Sequence, residues 1–207
     1  MRQLIYIPVV HTDADMGSLL PAAKREFLKK YSESDWQKKR QAVQEFWEGL
    51  HQRIGDLHLD YSKAYIYQDG LPVCGKELQI VTQLAKQGSP NHTLVLWLTD
   101  RGANLVGTES PELLLEEYRL VQRIFSASKG QEREAAAAAY TKRAPELLAQ
   151  RDDYIRRQID ATLPTGCVGL LFIGLTHHVD EGLPSDIHVS YLIHNLPFER
   201  SGDIKRL

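Results

Sequence analysis

The strongest constraint on the fold is an apolar run near the C-terminal end, Gly169-Leu170-Leu171-Phe172-Ile173-Gly174, which gives way at once to Leu175-Thr176-His177-His178. A run this short and this apolar, bounded by turn signals, fits a strand buried on both faces, as in the middle of a parallel sheet. The N-terminus carries a near copy: Leu4-Ile5-Tyr6-Ile7-Pro8-Val9-Val10-His11 aligns without gaps on Leu170 to His177. Leu, Ile and His coincide, Tyr6 matches Phe172, and Pro8 stands where the later copy has Gly174. The expectation is two buried strands that deliver a histidine each to one site. The plainer reading is two unrelated strand-like runs that each end in a polar residue.

Between these runs, strand and helix patterns alternate. Residues 3–10 read as the first strand, with a bend at Pro8. A short helix follows Pro21, and a longer one starts after Ser32 or Ser34. Trp36, Val43, Phe46, Trp47, Leu50 and Ile54 form its apolar face at helical spacing, and Gly55 can close it. Lys38-Lys39-Arg40 is a solvated face, and His51 and His58 are surface histidines. Residues 63–67 read as the second strand and 75–87 as a helix stopped by Gly88. Ser89-Pro90 is a helix start, Ser at the N-cap and Pro in the first turn, so a helix up to Gly102 and a strand over 104–107 are favoured over a hairpin. From Pro111 to Leu163 the chain reads as three helices: 112–125, the alanine-rich 131–144, and 145–163 opened by Pro145. The fourth strand is 167–174. The fifth, 187–193, alternates as an edge strand does. The fold class is therefore α/β: a mostly parallel central sheet of about five strands flanked by helices, with a helical insertion over 111–163, in a single domain 1–207.

The totals remove several function classes. The chain has 207 residues with 25 basic and 27 acidic side chains, a net charge of -2. That balance lacks the basic excess of a nucleic-acid binder. No apolar run approaches the ~18 residues of a membrane span, and no secretory signal is visible, so a cytoplasmic protein without a membrane partner is expected. Cys74 and Cys167 fit reduced thiols better than a disulfide. A G-x-S-x-G elbow, a G-x-G-x-x-G fingerprint and a Walker pattern are all absent from the sequence.

In parallel sheets, ligands bind outside the carboxyl ends of the strands. His11, Asp69, Glu109 and His177 each follow a strand at that end, so four polar groups from four separate segments can converge. Neutral imidazole is a metal ligand and a base near neutral pH, and a carboxylate orients it, ligates, or activates water. The expected metal set is His11, Asp69, Glu109 and His177, with a divalent ion (Mn, Co or Zn) as candidate cofactor. Asp13 and Asp15 are as readily helix caps as ligands. His177 and His178 cannot both point inward along an extended chain, and the repeat selects His177.

At these residues the sequence resembles the TraB/Tiki/ChaN-like group, which includes the erythromycin esterases and is marked by two G-x-x-H motifs with an acid between them. The second motif is intact as Gly174-Leu175-Thr176-His177; the first is Pro8-Val9-Val10-His11, with proline for glycine. Arg101-Gly102-Ala103-Asn104-Leu105-Val106-Gly107-Thr108-Glu109 resembles the group's Gly, strand, Glu segment. Leu148, Arg151, Asp152, Ile155 and Ile159 resemble its Arg-Asn helix, with Asp in place of Asn. Residues 186–207 have no counterpart. The resemblance implies a hydrolase-like site, metal-dependent in Tiki proteases and metal-free in erythromycin esterases.

The leading expectation is a hydrolase with His11, Glu109, His177 and Arg151 as catalytic residues and a small-molecule or peptide substrate. Arg151 would steady a developing anion, although its plainer reading is a helix-surface ion pair. The alternative is a non-catalytic module that binds a small ligand or a protein partner on the same scaffold. The long helices of 111–163 offer a surface for a homo-oligomer.

Overall fold

The computed structural model describes residues 1–10, 20–127 and 130–194. Five strands, β1 (Arg2–Val9), β2 (Ala64–Gln68), β3 (Asn104–Val106), β4 (Val168–Gly174) and β5 (Ile187–Tyr191), form one sheet in the order β3-β2-β4-β1-β5. Every neighbouring pair is parallel. The helices are α1 (Leu20–Leu28), α2 (Glu33–Gly55), α3 (Glu77–Lys86), α4 (Pro90–Thr99), α5 (Pro111–Ser126) and α6 (Gln131–Thr162). Local chemistry starts several of them. Ser32 and Asp35 form a reciprocal capping box at α2, while Ser89 before Pro90 and Ser110 before Pro111 cap α4 and α5.

Side-chain alternation along the strands divides the core in two. Ile7, Val9, Ala64, Ile66, Leu170 and Phe172 pack with residues of α2, α3 and α4 on one face. Leu4, Tyr6, Tyr67, Leu171 and Ile173 pack with Ile155 and Ile159 of α6 on the other. The two copies of the apolar run are buried strands as expected and lie side by side, but they are not equivalent. Leu4 lies beside Gly169, not Leu170, so the copies are staggered by one residue. A one-residue stagger reverses the face: Tyr6 points toward α6 and its sequence counterpart Phe172 toward α2–α4.

Two other expectations change. Pro145 does not open a helix but lies inside α6, which runs unbroken over 32 residues. Proline removes one amide hydrogen bond and strains one turn, and here the flanking Ala, Glu, Leu and Arg are strong helix formers. The edge strand β5 ends at Tyr191, two residues earlier than the alternation suggests. Cys74 and Cys167 are free thiols. Among the described residues no helix is long and apolar enough to cross a membrane.

The length of α6 positions the site. It runs antiparallel to the strand it precedes, so its end at Thr162 lies near the start of β4. Arg151 is about 17 Å back along the axis at 1.5 Å per residue, while β4 rises roughly 23 Å. Arg151 and Asp152 therefore reach the carboxyl end of the sheet, and the first half of α6 pairs with α5, where Arg143 bonds Glu116.

Candidate functional site

The carboxyl ends of β2 and β4, the loop after β3, and the middle of α6 bring five ionisable side chains together. Asp69 directly follows β2 and its amide bonds Phe172 O of β4 at 2.9 Å. Glu109 lies three residues beyond β3, in a loop stitched to the β2 exit: Thr108 and Glu109 amides both donate to Leu71 O, and Thr108 Oγ1 accepts from Gln68 N. His177 lies on the turn after β4, where its amide donates to Gly174 O. Arg151 and Asp152 come from α6.

Arg151 is the hub. Its Nε donates to Glu109 Oε2 at 2.5 Å, and its Nη2 donates to Glu109 Oε1 at 2.8 Å and to Asp69 Oδ1 at 2.9 Å. Its Nη1 bonds Glu117 of α5. The Arg151, Asp69 and Glu109 side chains are 8%, 6% and 0% exposed, against 29% for Glu117. The fork matches the planar carboxylate of Glu109 in the bidentate way that distinguishes arginine from lysine. Burial opposes the Arg151 charge, but Glu109, Asp69 and Glu117 outweigh it and raise its pKa. Burial pushes the Glu109 carboxyl up against the pull of Arg151 and of the Gly70 amide. Its bonding is nonetheless that of a carboxylate, since Oε1 accepts from Arg151 and from Gly70 N at 2.7 Å and Oε2 accepts from Arg151.

A second unit is interlocked with the first. His177 Nδ1 is 2.5 Å from Asp152 Oδ1, and Asp152 Oδ2 accepts the His178 amide at 2.9 Å. The ring's other nitrogen, Nε2, lies 3.7 Å from Asp69 Oδ2, too far for a direct hydrogen bond. That Asp69 oxygen is held by the Gly174 amide at 3.0 Å, so glycine and histidine of the G-x-x-H segment touch the same carboxylate from two sides. Tyr6 fixes the turn by donating its hydroxyl to His177 O at 3.1 Å. Burial works to lower the His177 pKa, but hydrogen bonding to Asp152 and the charge of Asp69 raise it. For Asp152, burial works upward, and the His177 ring and His178 amide hold its carboxyl below the ordinary value. The pair is arranged as an imidazole whose tautomer and orientation are set by one carboxylate while its far nitrogen faces a second.

Of the residues expected from sequence, Asp69, Glu109, Arg151 and His177 are brought together. His11 lies outside the described residues, as do Asp13 and Asp15. The plain reading of Arg151 as a surface ion pair is overturned by its burial. His178 points outward, its side chain 69% exposed. Asp152, Glu117 and Tyr6 were missed. For Asp152 a signal existed: it and Arg151 share the helix face of Leu147, Leu148, Ile155 and Ile159, where a pair of charges is out of place unless matched from across the interface. Glu117 carries no such mark.

The donor set bears on a metal. Among the described residues no group of three or more His, Cys, Asp and Glu side chains could hold one. Asp69 Oδ1 and both Glu109 oxygens face the Arg151 guanidinium, whose fixed charge repels a divalent cation at the same oxygens. His177 Nε2 and Asp69 Oδ2, which accepts the Gly174 amide, are the atoms of the expected set of His11, Asp69, Glu109 and His177 that do not face the guanidinium, and His11 lies outside the described residues. Compared with protein-family models, with curated proteins and with solved structures, the chain matches none.

Proposed function

We propose that the protein is a hydrolase of the TraB/Tiki-like type, in which His177, oriented by Asp152, and Asp69 form the acid–base pair and Arg151 steadies developing negative charge. The observation that carries this reading is the 3.7 Å gap between His177 Nε2 and Asp69 Oδ2. A water or substrate hydroxyl in that gap reaches both atoms at about 2.8 Å, the distance of a good hydrogen bond. The imidazole takes the proton of that water as it attacks an acyl carbon, and returns it to the leaving group. Four of the five guanidinium N–H groups are used by Glu109, Asp69 and Glu117, and the fifth, on Nη1, has no partner among the described residues. It is available to an oxyanion. Glu109, with three of its acceptor positions taken by Arg151 and Gly70, positions Arg151 instead of activating water. His11 enters the proposal from the sequence as the second strand-end histidine, and a small-molecule or peptide ester or amide is the substrate.

A binding module without catalysis is favoured by one fact: His177 is 6% exposed and its Nδ1 is engaged, as a structural histidine would be. Assay of the purified chain against p-nitrophenyl esters, p-nitroanilides and p-nitrophenyl phosphate, with chelator and with added Mn, Co or Zn, separates the readings. His177→Gln and Asp69→Asn are expected to remove turnover while leaving the fold intact by circular dichroism. Turnover at the wild-type level in both variants overturns the assignment, and dependence on added metal brings His11 into the first set of variants to make.

A further inference from the structure

We infer that Arg156 is a positioning residue for His177: together with Asp152 it grips the main chain of His178 at both ends and so fixes where the neighbouring imidazole points. Its effect on turnover rests on the hydrolase reading; its geometry does not. Asp152 and Arg156 are four residues apart on α6, about one turn, and lie on the same side of the helix. Asp152 Oδ2 accepts the His178 amide at 2.9 Å. Arg156 Nη1 donates to His178 O at 3.3 Å and to Glu181 O at 3.0 Å. The second of the paired histidines thus contributes its backbone, while its side chain is turned to solvent.

The turn is held from two sides. On the sheet side, the His177 amide donates to Gly174 O and the Tyr6 hydroxyl to His177 O. On the helix side, Val179 packs in the core with Ile155 and Ile159, and Asp152 and Arg156 take the polar groups. Asp152 spends Oδ1 on the His177 ring and Oδ2 on the His178 amide, and the two oxygens of a carboxylate are fixed relative to each other. A shift of the His178 peptide therefore cannot leave both bonds in place. Arg156 opposes that shift, because the two hydrogens of one guanidinium nitrogen tie His178 O to Glu181 O. The stem of Arg156 lies against the next residue: Gly182 has a left-handed φ of 91°, and a Cβ built on it would sit 3.7 Å from Arg156 Cδ and Nε.

The charge of Arg156 and its grip act on His177 in opposite senses. His177 is faced by Asp152 and Arg151 from α6 and by Asp69 at the end of β2; burial and Arg151 work to lower its pKa, and the two carboxylates raise it. Asp152 is pushed up by burial and pulled down by the His177 ring, the His178 amide and the charge of Arg156. Removing only a positive charge near this pair lets His177 hold its proton more firmly. Removing the grip loosens the bond to Asp152 and lets the proton go more readily. The sign of the change therefore tells positioning from plain electrostatics.

The test is Arg156→Met in the full chain, which keeps an apolar stem and removes charge and donors, with an NMR titration of the His177 ring. The expected result is a His177 pKa that falls toward the ordinary ~6.5, with loss of the downfield signal of the proton shared with Asp152. Arg156→Lys keeps a charge and can donate to both carbonyls, and is expected to restore most of both signatures. Gly182→Ala changes no charge but strains the left-handed residue beside Glu181; it should move His177 the same way, and it carries the test if Arg156→Met does not fold. In turnover, Arg156→Met is expected to lower kcat about tenfold, the effect of one hydrogen bond, with KM unchanged. A His177 pKa that rises, or that is the same in wild type and every variant, overturns the inference. A pKa that falls in a chain that turns over no ester, anilide or phosphate retires the hydrolase reading alone, and full turnover with an unmoved pKa retires the positioning role alone.

Discussion

Replacing Arg151 with methionine tests whether the guanidinium is the electrostatic keystone of the carboxyl edge. Methionine keeps much of the volume and removes the charge, leaving Glu109, whose side chain is 0% exposed, and Asp69, at 6%, without their counter-ion. Removing one member of a buried ion pair costs about 3–5 kcal/mol, chiefly for the charge left behind. The stranded Glu109 can escape by binding a proton. Holding a carboxyl of ordinary pKa ~4.3 protonated at pH 7 costs ~1.4 kcal/mol per pH unit, or ~3.7 kcal/mol, so the two routes agree on scale. The sign follows from linkage. In the variant the folded state binds more protons than the unfolded state, so its stability falls as pH rises, and the deficit against wild type shrinks by as much as ~2.7 kcal/mol from pH 7 to pH 5. Urea denaturation of both proteins at the two pH values measures this, with coincident circular dichroism and fluorescence transitions as the check on two-state behaviour. Glu109→Gln in the Arg151→Met background should recover much of the pH 7 loss. A deficit under about 1 kcal/mol at pH 7, or one equal at both pH values, would refute the claim that buried charge balance holds this edge together.

Asp152→Asn is expected to lower the His177 pKa, visible in an NMR titration of the ring. The raised His177 value adds stability below about pH 6.5 that is lost as pH rises through the folded pKa, and the lowered Asp152 value adds stability above about pH 3.9 that is lost as pH falls through its own. The wild-type advantage over Asp152→Asn should then be largest between those limits, and an advantage that grows on the alkaline side would contradict the pairing. Pro145→Ala restores an amide donor in the interior of α6 and should stabilise the chain by up to ~3 kcal/mol in chemical denaturation; no gain would mean the helix is already adapted to the ring. Gly107→Ala builds a Cβ 2.8 Å from Val73 Cα and 2.8 Å from Glu77 Oε1, forcing apart the two loops that set Glu109, at a cost of about 1–3 kcal/mol. A thermal midpoint unchanged from wild type would show that these loops yield freely.

The fold and the clustering of charged side chains at the carboxyl edge were legible because both depend on patterns the sequence carries locally: period-two and period-3.6 apolarity, capping serines, and polar residues where strands end. The order of strands was not, since a parallel sheet sets adjacency by crossovers that leave no local mark, and the likeness of Leu4–His11 to Leu170–His177 carries no information on facing because register is decided by what packs above each strand. The roles inside the site were less legible for a further reason. Which oxygen of Asp69 faces the guanidinium and which faces the imidazole depends on three segments meeting, and so does the pairing of both Glu109 oxygens with Arg151. Asp152 is the instructive miss. Beside the Arg-Asn pair of the helix it resembles, the aspartate reads as a departure that weakens the likeness. In the structure that same residue supplies a full negative charge 2.5 Å from His177 Nδ1, where an asparagine oxygen would supply only a dipole. The aspartate therefore makes His177 a stronger base than an asparagine at this position would, the property on which the proposed acid–base role draws.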